Sequence, residues 1–328
     1  MRIRSVAVSM IACLGLAGCT SSVDIDDILS RPSMEVTSSI SKPEAPVPAA
    51  EVVGLAEEQS VEVAAVAAMP SPSAALRAIG QIESRKPSSS SKFTVTRHRF
   101  RDAKPIDFGR NAPQKLAVHG VDVSRWQADI DWRTLRQQGA NFVFIKATDG
   151  GDHLDPMFMK NWVNAHEAGL KRGAYHFFYW CRVASQQADW FIRNVPKVEG
   201  ALPPVIDVEW NHQSSCKKRP SRELVLEKMK VFMERLEAHY GQRPIIYTAP
   251  DFYEDNLQGE FKDYPFWLRS VAAHPSKRYP NRKWLFWQYS GSGLSQGVDG
   301  QIDLNVFHGS EKEWRNWLSG AVYSARAD

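Results

Sequence analysis

The chain is 328 residues long and carries a formal net charge of +4 at pH 7, with a calculated pI of about 8.8. Its Lys and Arg are scattered, as in Arg97, Arg99 and Arg101 or Lys217, Lys218 and Arg219, and no aromatic-interleaved basic stripe points to nucleic acid. Four cysteines without Cys-x-x-Cys or His/Cys cluster spacing exclude a zinc site, and no cofactor is expected.

The chain begins MRIR, continues with an apolar run from Ser5 to Leu16, and then reads LAGC. A basic start, a short apolar core and small residues predict a signal peptide over residues 1–18, too short to span a bilayer as a stop-transfer helix. Leu16-Ala17-Gly18-Cys19 resembles a bacterial lipobox, which makes Cys19 the expected lipid-bearing residue. No Asp follows it, so in a Gram-negative cell the expected location is the outer membrane, facing the periplasm. Residues 19–115 are rich in Ser, Pro, Ala and Val and read as a disordered tether, with patches such as SKPEAPVPAA and KPSSSSK. Such a tether has an r.m.s. reach of roughly 50–60 Å.

Beyond residue 116 the texture changes. LAVHGVDVS, NFVFIKAT, GAYHFFYW, PPVIDVEW, PIIYTA, FWLRSVA, WLFWQYS and QIDLNVF each read as a strand. DPMFMKNWVNAHEAGL and SRELVLEKMKVFMERLEAHYG read as amphipathic helices, the second opened by Ser221 with Glu223 in its first turn. The alternation predicts an α/β domain over 116–328, an irregular β/α (TIM-like) barrel with an antiparallel or irregular later part. A doubly wound open sheet is the alternative, though no Gly-rich nucleotide turn follows a strand.

Carboxylates recur at the strand ends of this barrel. Asp122 closes the first strand, Asp207 and Glu209 the fourth, and Asp303 lies in the last. Asp207 and Glu209 are two apart in a strand and therefore project to one side. Trp126, Tyr175, Phe178, Trp210, Tyr247, Trp267 and Trp287 could offer flat faces for sugar rings, or could be core. Paired carboxylates beside aromatics suit glycoside hydrolysis, in which one group gives a proton and another remains ionised. Glu209 lies nearer the strand exit and reaches further, so it is the expected proton donor, with Asp207, Asp122 and Asp303 supplying negative charge.

The stretches GVDVSRWQADIDW (120–132), FIKATDG (144–150), DPMFMKNWVNAHEAGLKRGAYHFF (155–178), QQADWF (186–191), PPVIDVEW, PIIYTA and GVDGQIDLNVF (297–307) together resemble glycoside hydrolase family 25, the muramidase-type lysozymes. The resemblance implies cleavage of the β-1,4 bond between N-acetylmuramic acid and N-acetylglucosamine in peptidoglycan glycan strands. It places the proton donor on Glu209 and its acidic support on Asp207, Asp122 and Asp303. Tyr247, Trp267 and Gln288 would face the saccharide, and His176 is either a substrate contact or a structural histidine. Asp149 stands where family members often carry Glu. Cys181 and Cys216, the even pair left in an exported chain, follow the third and fourth strands in adjacent mouth loops and are expected to form a disulfide. A monomer is expected. Two other readings stay open: an inactive peptidoglycan-binding lipoprotein, and a hydrolase of another acetylated glycan such as chitin.

Overall fold

The computed structural model describes residues 94–212 and 216–320. The expected signal peptide, Cys19 and the tether up to residue 93 lie outside the described residues. Each of the eight apolar runs forms a strand: β2 (His119–Val123), β3 (Phe142–Asp149), β5 (Lys171–Phe177), β6 (Val205–Val208), β7 (Ile245–Thr248), β8 (Phe266–Arg269), β9 (Phe286–Leu294) and β10 (Ile302–Phe307). Two short strands, β1 (Arg101–Asp102) and β4 (His153–Leu154), pair with β9 and β3.

The eight long strands close into a barrel in the order β2-β3-β5-β6-β7-β8-β9-β10, with β10 returning to β2. The pairings from β2 round to β9 are all parallel, whereas β10 is antiparallel to both neighbours. The irregularity expected of the later part is thus one reversed strand. Its first residues lie at the rim where the other strands end.

Strand alternation sorts the side chains into two cores. Inward positions fill the barrel with Phe142, Phe144, Val205, Ile245, Tyr247, Trp267, Phe286 and Phe307, and Trp314 packs against them. Outward positions such as Val121, Ile145, Ile206, Leu268 and Val306 pack with residues of the helices. Gly120 and Gly173 make room for the plug. A Cβ on Gly120 would stand 2.6 Å from the Phe142 ring, and one on Gly173 2.7 Å from the Phe144 ring.

The helices are α1 (Trp132–Gln137), α2 (Phe158–Glu167), α3 (Ala184–Asn194), α4 (Arg222–Tyr240), α5 (Pro250–Asn256), α6 (Pro275–Arg278) and α7 (Glu311–Leu318). α4 shows how sequence sets the bounds. The Ser221 hydroxyl accepts from the Leu224 N–H, and Gly241 ends the helix at φ 71°, where a side chain would be strained. Val225, Met229, Phe232, Met233 and Leu236 form its buried stripe.

The boundary expected at residue 116 is corrected, because the folded unit already includes residues 94–115. Asn141 brackets the backbone of Thr96, accepting from its N–H at 2.8 Å and donating to its carbonyl at 2.9 Å. Arg136 donates to the Thr94 carbonyl and the Thr96 hydroxyl, both at 2.6 Å. The His98 ring stacks on His119 at 3.7 Å, β1 adds to β9, and Phe108 sits edge-on to Trp287. This segment is held by polar groups of the barrel and by a few apolar side chains of its own, Val95, Phe100 and Phe108, too sparse for composition to tell it from tether.

Candidate active site

The reversed direction of β10 brings the acidic residues together. Asp122 stands at the C-terminal end of β2 and Asp303 at the N-terminal end of β10, yet the two are direct cross-strand partners. Asp207 lies in β6 and Glu209 just beyond it, at the same rim. All four carboxylates are buried, at 4–7 % exposure.

Asp122 is held by two amides. Asn305 Nδ2 donates to its Oδ1 at 2.6 Å and Gln288 Nε2 at 2.9 Å. Behind these, the Tyr247 hydroxyl donates to Gln288 Oε1 at 2.8 Å and the Trp267 indole to Asn305 Oδ1 at 2.7 Å. Burial raises the Asp122 carboxyl to about 6, against the pull of hydrogen bonds from Asn305, Gln288 and Asp303. Asp207 is pushed well above the carboxylate range by burial first, and then by the Glu209 charge and a hydrogen bond shared with Glu209. Asp207 therefore favours its protonated form beside Glu209. Among the described residues, Asp207 Oδ1 is buried without a hydrogen-bond partner, an acceptor left for an incoming ligand.

The expected saccharide contacts separate into layers. Gln288 and Tyr247 join the carboxylate network. Trp267, at 2 % exposure, stacks on Phe144 at 4.7 Å inside the apolar plug and supports the network from beneath, so the structure corrects its placement as a sugar platform. For His176 the structure takes the structural alternative and corrects the substrate contact. One residue out of phase with Tyr175, it points away from the barrel interior and stacks on Phe232 of α4 at 4.9 Å. Its Nδ1 lies 2.7 Å from the Thr148 hydroxyl and its Nε2 3.1 Å from Gln187 Oε1, and burial lowers it to about 4. It is a neutral packing residue. Phe178 and Trp287 likewise belong to the outer core.

Tyr175 does face the acids. Burial, then the charges of Asp122, Asp207, Asp155 and Asp303, raise its phenol well above the usual value and keep it neutral. Trp126 stands at the rim on the turn after β2, 40 % exposed, with the Arg125 guanidinium 4.6 Å over its ring. Asp149 pairs with Lys146 at 2.8 Å.

Three residues outside the sequence reading matter here. The Trp180 indole donates to the Glu209 carbonyl at 2.7 Å, and Asn211 donates to the Phe178 carbonyl, so the loop after β5 holds the loop after β6. Cys181 and Cys216 are bonded across the same two loops, with Cα atoms 5.4 Å apart. Arg269, at the end of β8, is buried, and the charges of Glu209 and Asp303 bear on it. A lone Arg ending the apolar run FWLR was the available signal.

Comparison with known proteins gives one consistent answer. The family model described as "Glycosyl hydrolases family 25" matches residues 121–298. The chain is 37 % identical over 230 residues to the uncharacterized protein YegX of Escherichia coli K12, covering 67 % of this chain and 81 % of that one. It is 34 % identical over 204 residues to Lysozyme M1 of Streptomyces globisporus, covering 59 % of this chain and 68 % of the other. A family 25 glycosyl hydrolase from Bacillus anthracis superposes with a TM-score of 0.58 at 43 % identity, covering 62 % of this chain and 94 % of its own.

Proposed function

The chain belongs to glycosyl hydrolases family 25 and is a glycoside hydrolase, and from that premise we propose that it is a peptidoglycan muramidase. It would cleave the β-1,4 bond between N-acetylmuramic acid and N-acetylglucosamine, with Glu209 as proton donor. The observation that carries this reading is the convergence of Asp122, Asp207, Glu209 and Asp303 on one rim, with a shared proton and a buried, unpartnered Asp207 oxygen.

A retaining acid–nucleophile pair needs about 5 Å between carboxyl groups, and an inverting pair more. Asp207 and Glu209 instead hydrogen-bond to each other. That contact favours a route in which the substrate supplies the nucleophile. The acetamido oxygen of the sugar attacks C1, the glycosidic C–O bond breaks, and Glu209 gives its proton to the leaving oxygen. Asp207 accepts from the acetamido N–H and holds that group against C1. Water then opens the cyclic intermediate and returns a proton to Glu209. Asp122, ionised and hydrogen-bonded by Asn305, Gln288 and Asp303, offsets the positive charge that develops on the sugar.

The barrel would work from a membrane. We read Cys19 as a lipid anchor and the residues between it and the folded unit as a tether, placing the enzyme as a monomer on the outer membrane, facing the periplasmic wall. The lipobox-like LAGC and the Ser/Pro/Ala-rich composition support this.

The test is mass spectrometry of purified peptidoglycan digested by the protein and by Glu209→Gln. Muropeptides ending in reducing N-acetylmuramic acid, reduced at least about a hundredfold in the variant, are expected. Undigested sacculi with the native protein would overturn the reading in favour of a binding lipoprotein. Faster turnover of chitin oligomers than of peptidoglycan would move the substrate.

A further inference from the structure

Arg172, Arg269 and Arg282 are the buried arginines among the described residues. Arg172 donates to the Trp162 carbonyl and Arg282 to the carbonyls of Leu257 and Glu260, each tying backbone together. Arg269 is placed differently. Strand pairing sets Asp207 beside Tyr247 and Tyr247 beside Trp267, all inward; the next level, Val208, Thr248 and Leu268, lies outward. Continued alternation makes Glu209, Ala249 and Arg269 the inward level at the mouth. Strands lie about 4.8 Å apart, so the backbones of Glu209 and Arg269 are separated by roughly 10 Å. The residue between them is Ala249, whose side chain stops at Cβ and leaves the span open for a guanidinium.

On its other side Arg269 pairs with Gln288, the amide that holds Asp122. The groups facing it are Glu209 and Asp303 and the phenols of Tyr247 and Tyr279. Burial keeps both phenols neutral, and the Tyr279 hydroxyl is spent on the carbonyls of Arg269 and Thr248. The carboxylates are thus what answers the guanidinium. Lys146, the cation whose charge bears on Asp207, is engaged with Asp149.

We propose that Arg269 is a positioning residue for the proton donor: its guanidinium holds Glu209 ionised in the resting enzyme, so that the proton shared with Asp207 rests on Asp207 until a sugar enters. Substrate binding then moves that proton from the Asp207 carboxyl to Glu209 as Asp207 turns to accept the acetamido N–H. Glu209 passes it to the glycosidic oxygen as the C1–O bond breaks and returns to a carboxylate beside Arg269. The arginine makes Glu209 a stronger acid at the moment of donation. This rests on Glu209 being the proton donor, as proposed above.

The test is a ¹³C carboxyl NMR titration of the full chain without substrate, with signals assigned through Glu209→Gln and Asp207→Asn. In the native protein Glu209 should ionise at lower pH than Asp207. In Arg269→Gln the Glu209 midpoint should rise by about one pH unit or more, and Arg269→Lys should recover most of that shift. The alkaline limb of the kcat/KM profile on peptidoglycan, where the pair loses its last proton, should move the same way, rising in Arg269→Gln and returning in Arg269→Lys. Glu209 ionising above Asp207 in the native protein overturns the proposal, a result that needs no variant at 269. So does an unmoved midpoint, or a uniform loss of rate with an unshifted profile. A native protein that titrates as expected yet leaves peptidoglycan intact overturns the muramidase reading instead.

Discussion

Asp303 is the direct cross-strand partner of Asp122, although one opens its strand and the other stands near the end of its own. Two carboxyl groups in register across an antiparallel ladder, both buried, repel when both are ionised. Amides from Asn305 and Gln288 offset this at Asp122. With that carboxyl at about 6, kcat/KM should fall as pH drops through about 6, because the proposed role requires the ionised form. Asn305→Ala removes the 2.6 Å donor and should raise that acid limb by about one unit. A pH–rate profile of the variant that overlays the native one would show that Asp122 does not set the limb.

The same burial costs stability. A carboxyl whose folded value is raised favours the folded state below its unfolded value and loses that contribution as pH rises through the folded value. For Asp122 the window runs from 3.8 to about 6, about two units, or roughly 3 kcal/mol lost above it. Asp122→Asn keeps an oxygen for Asn305 and Gln288 and turns an N–H toward Asp303. It should be more thermostable than the native protein at pH 8, with the advantage shrinking toward pH 4, while losing lytic activity. Equal gaps at both pH values in thermal unfolding would refute the linkage.

The strands were legible because each is a short apolar run with turn residues at its ends, and α4 because Ser221 and Gly241 mark it. The acidic set was legible because Asp and Glu are conspicuous at the ends of such runs. Direction was not. Nothing within QIDLNVF says that it runs opposite to its neighbours, and only that reversal explains why Asp303 reaches the rim. His176 stayed open between substrate and packing for a related reason: phase within YHFF depends on which residue first turns inward, and the aromatic neighbours hide the alternation. The order of residues 94–115 was illegible because the groups that hold it, Arg136, Asn141, strand β9 and Trp287, lie elsewhere in the chain.

His176 offers a clean separation of packing from catalysis. Its ring fills the space between Thr148, Gln187 and Phe232, so His176→Ala leaves a cavity and removes one of the two hydrogen bonds to the Gln187 oxygen, the Tyr179 N–H remaining. We expect a loss of about 2–4 kcal/mol in denaturant unfolding. KM of the protein that remains folded should change less than about twofold. A large KM increase at unchanged stability would return His176 to the substrate.

Trp180 should matter to rate more than to binding. Its indole fixes the Glu209 carbonyl at 2.7 Å, and Trp180→Phe keeps the stacking on Phe252 while removing the donor. A small displacement of a proton donor lowers kcat by roughly tenfold to a hundredfold. Stability should fall by only about 1 kcal/mol. Steady-state kinetics showing KM raised and kcat intact would contradict this role.

Stereochemistry tests the chemical route itself. If the acetamido group of the sugar is the nucleophile, C1 is attacked twice, first by its oxygen and then by water from the opposite face, so the β configuration returns. A single displacement by water would give the α anomer. Asp207 shares a hydrogen bond with Glu209 on one side of the cleft, leaving no second carboxylate of that pair to activate water on the far face. Proton NMR of a muropeptide digest during the first minutes, before mutarotation, should show the β anomer of the new reducing end. Asp207→Asn should slow the reaction without changing that outcome, since it alters how the acetamido group is held and not which atom attacks. An initial α anomer would rule out substrate participation and require the attacking water to be activated elsewhere on the rim, with Asp122 and Asp303 the carboxylates placed to do so.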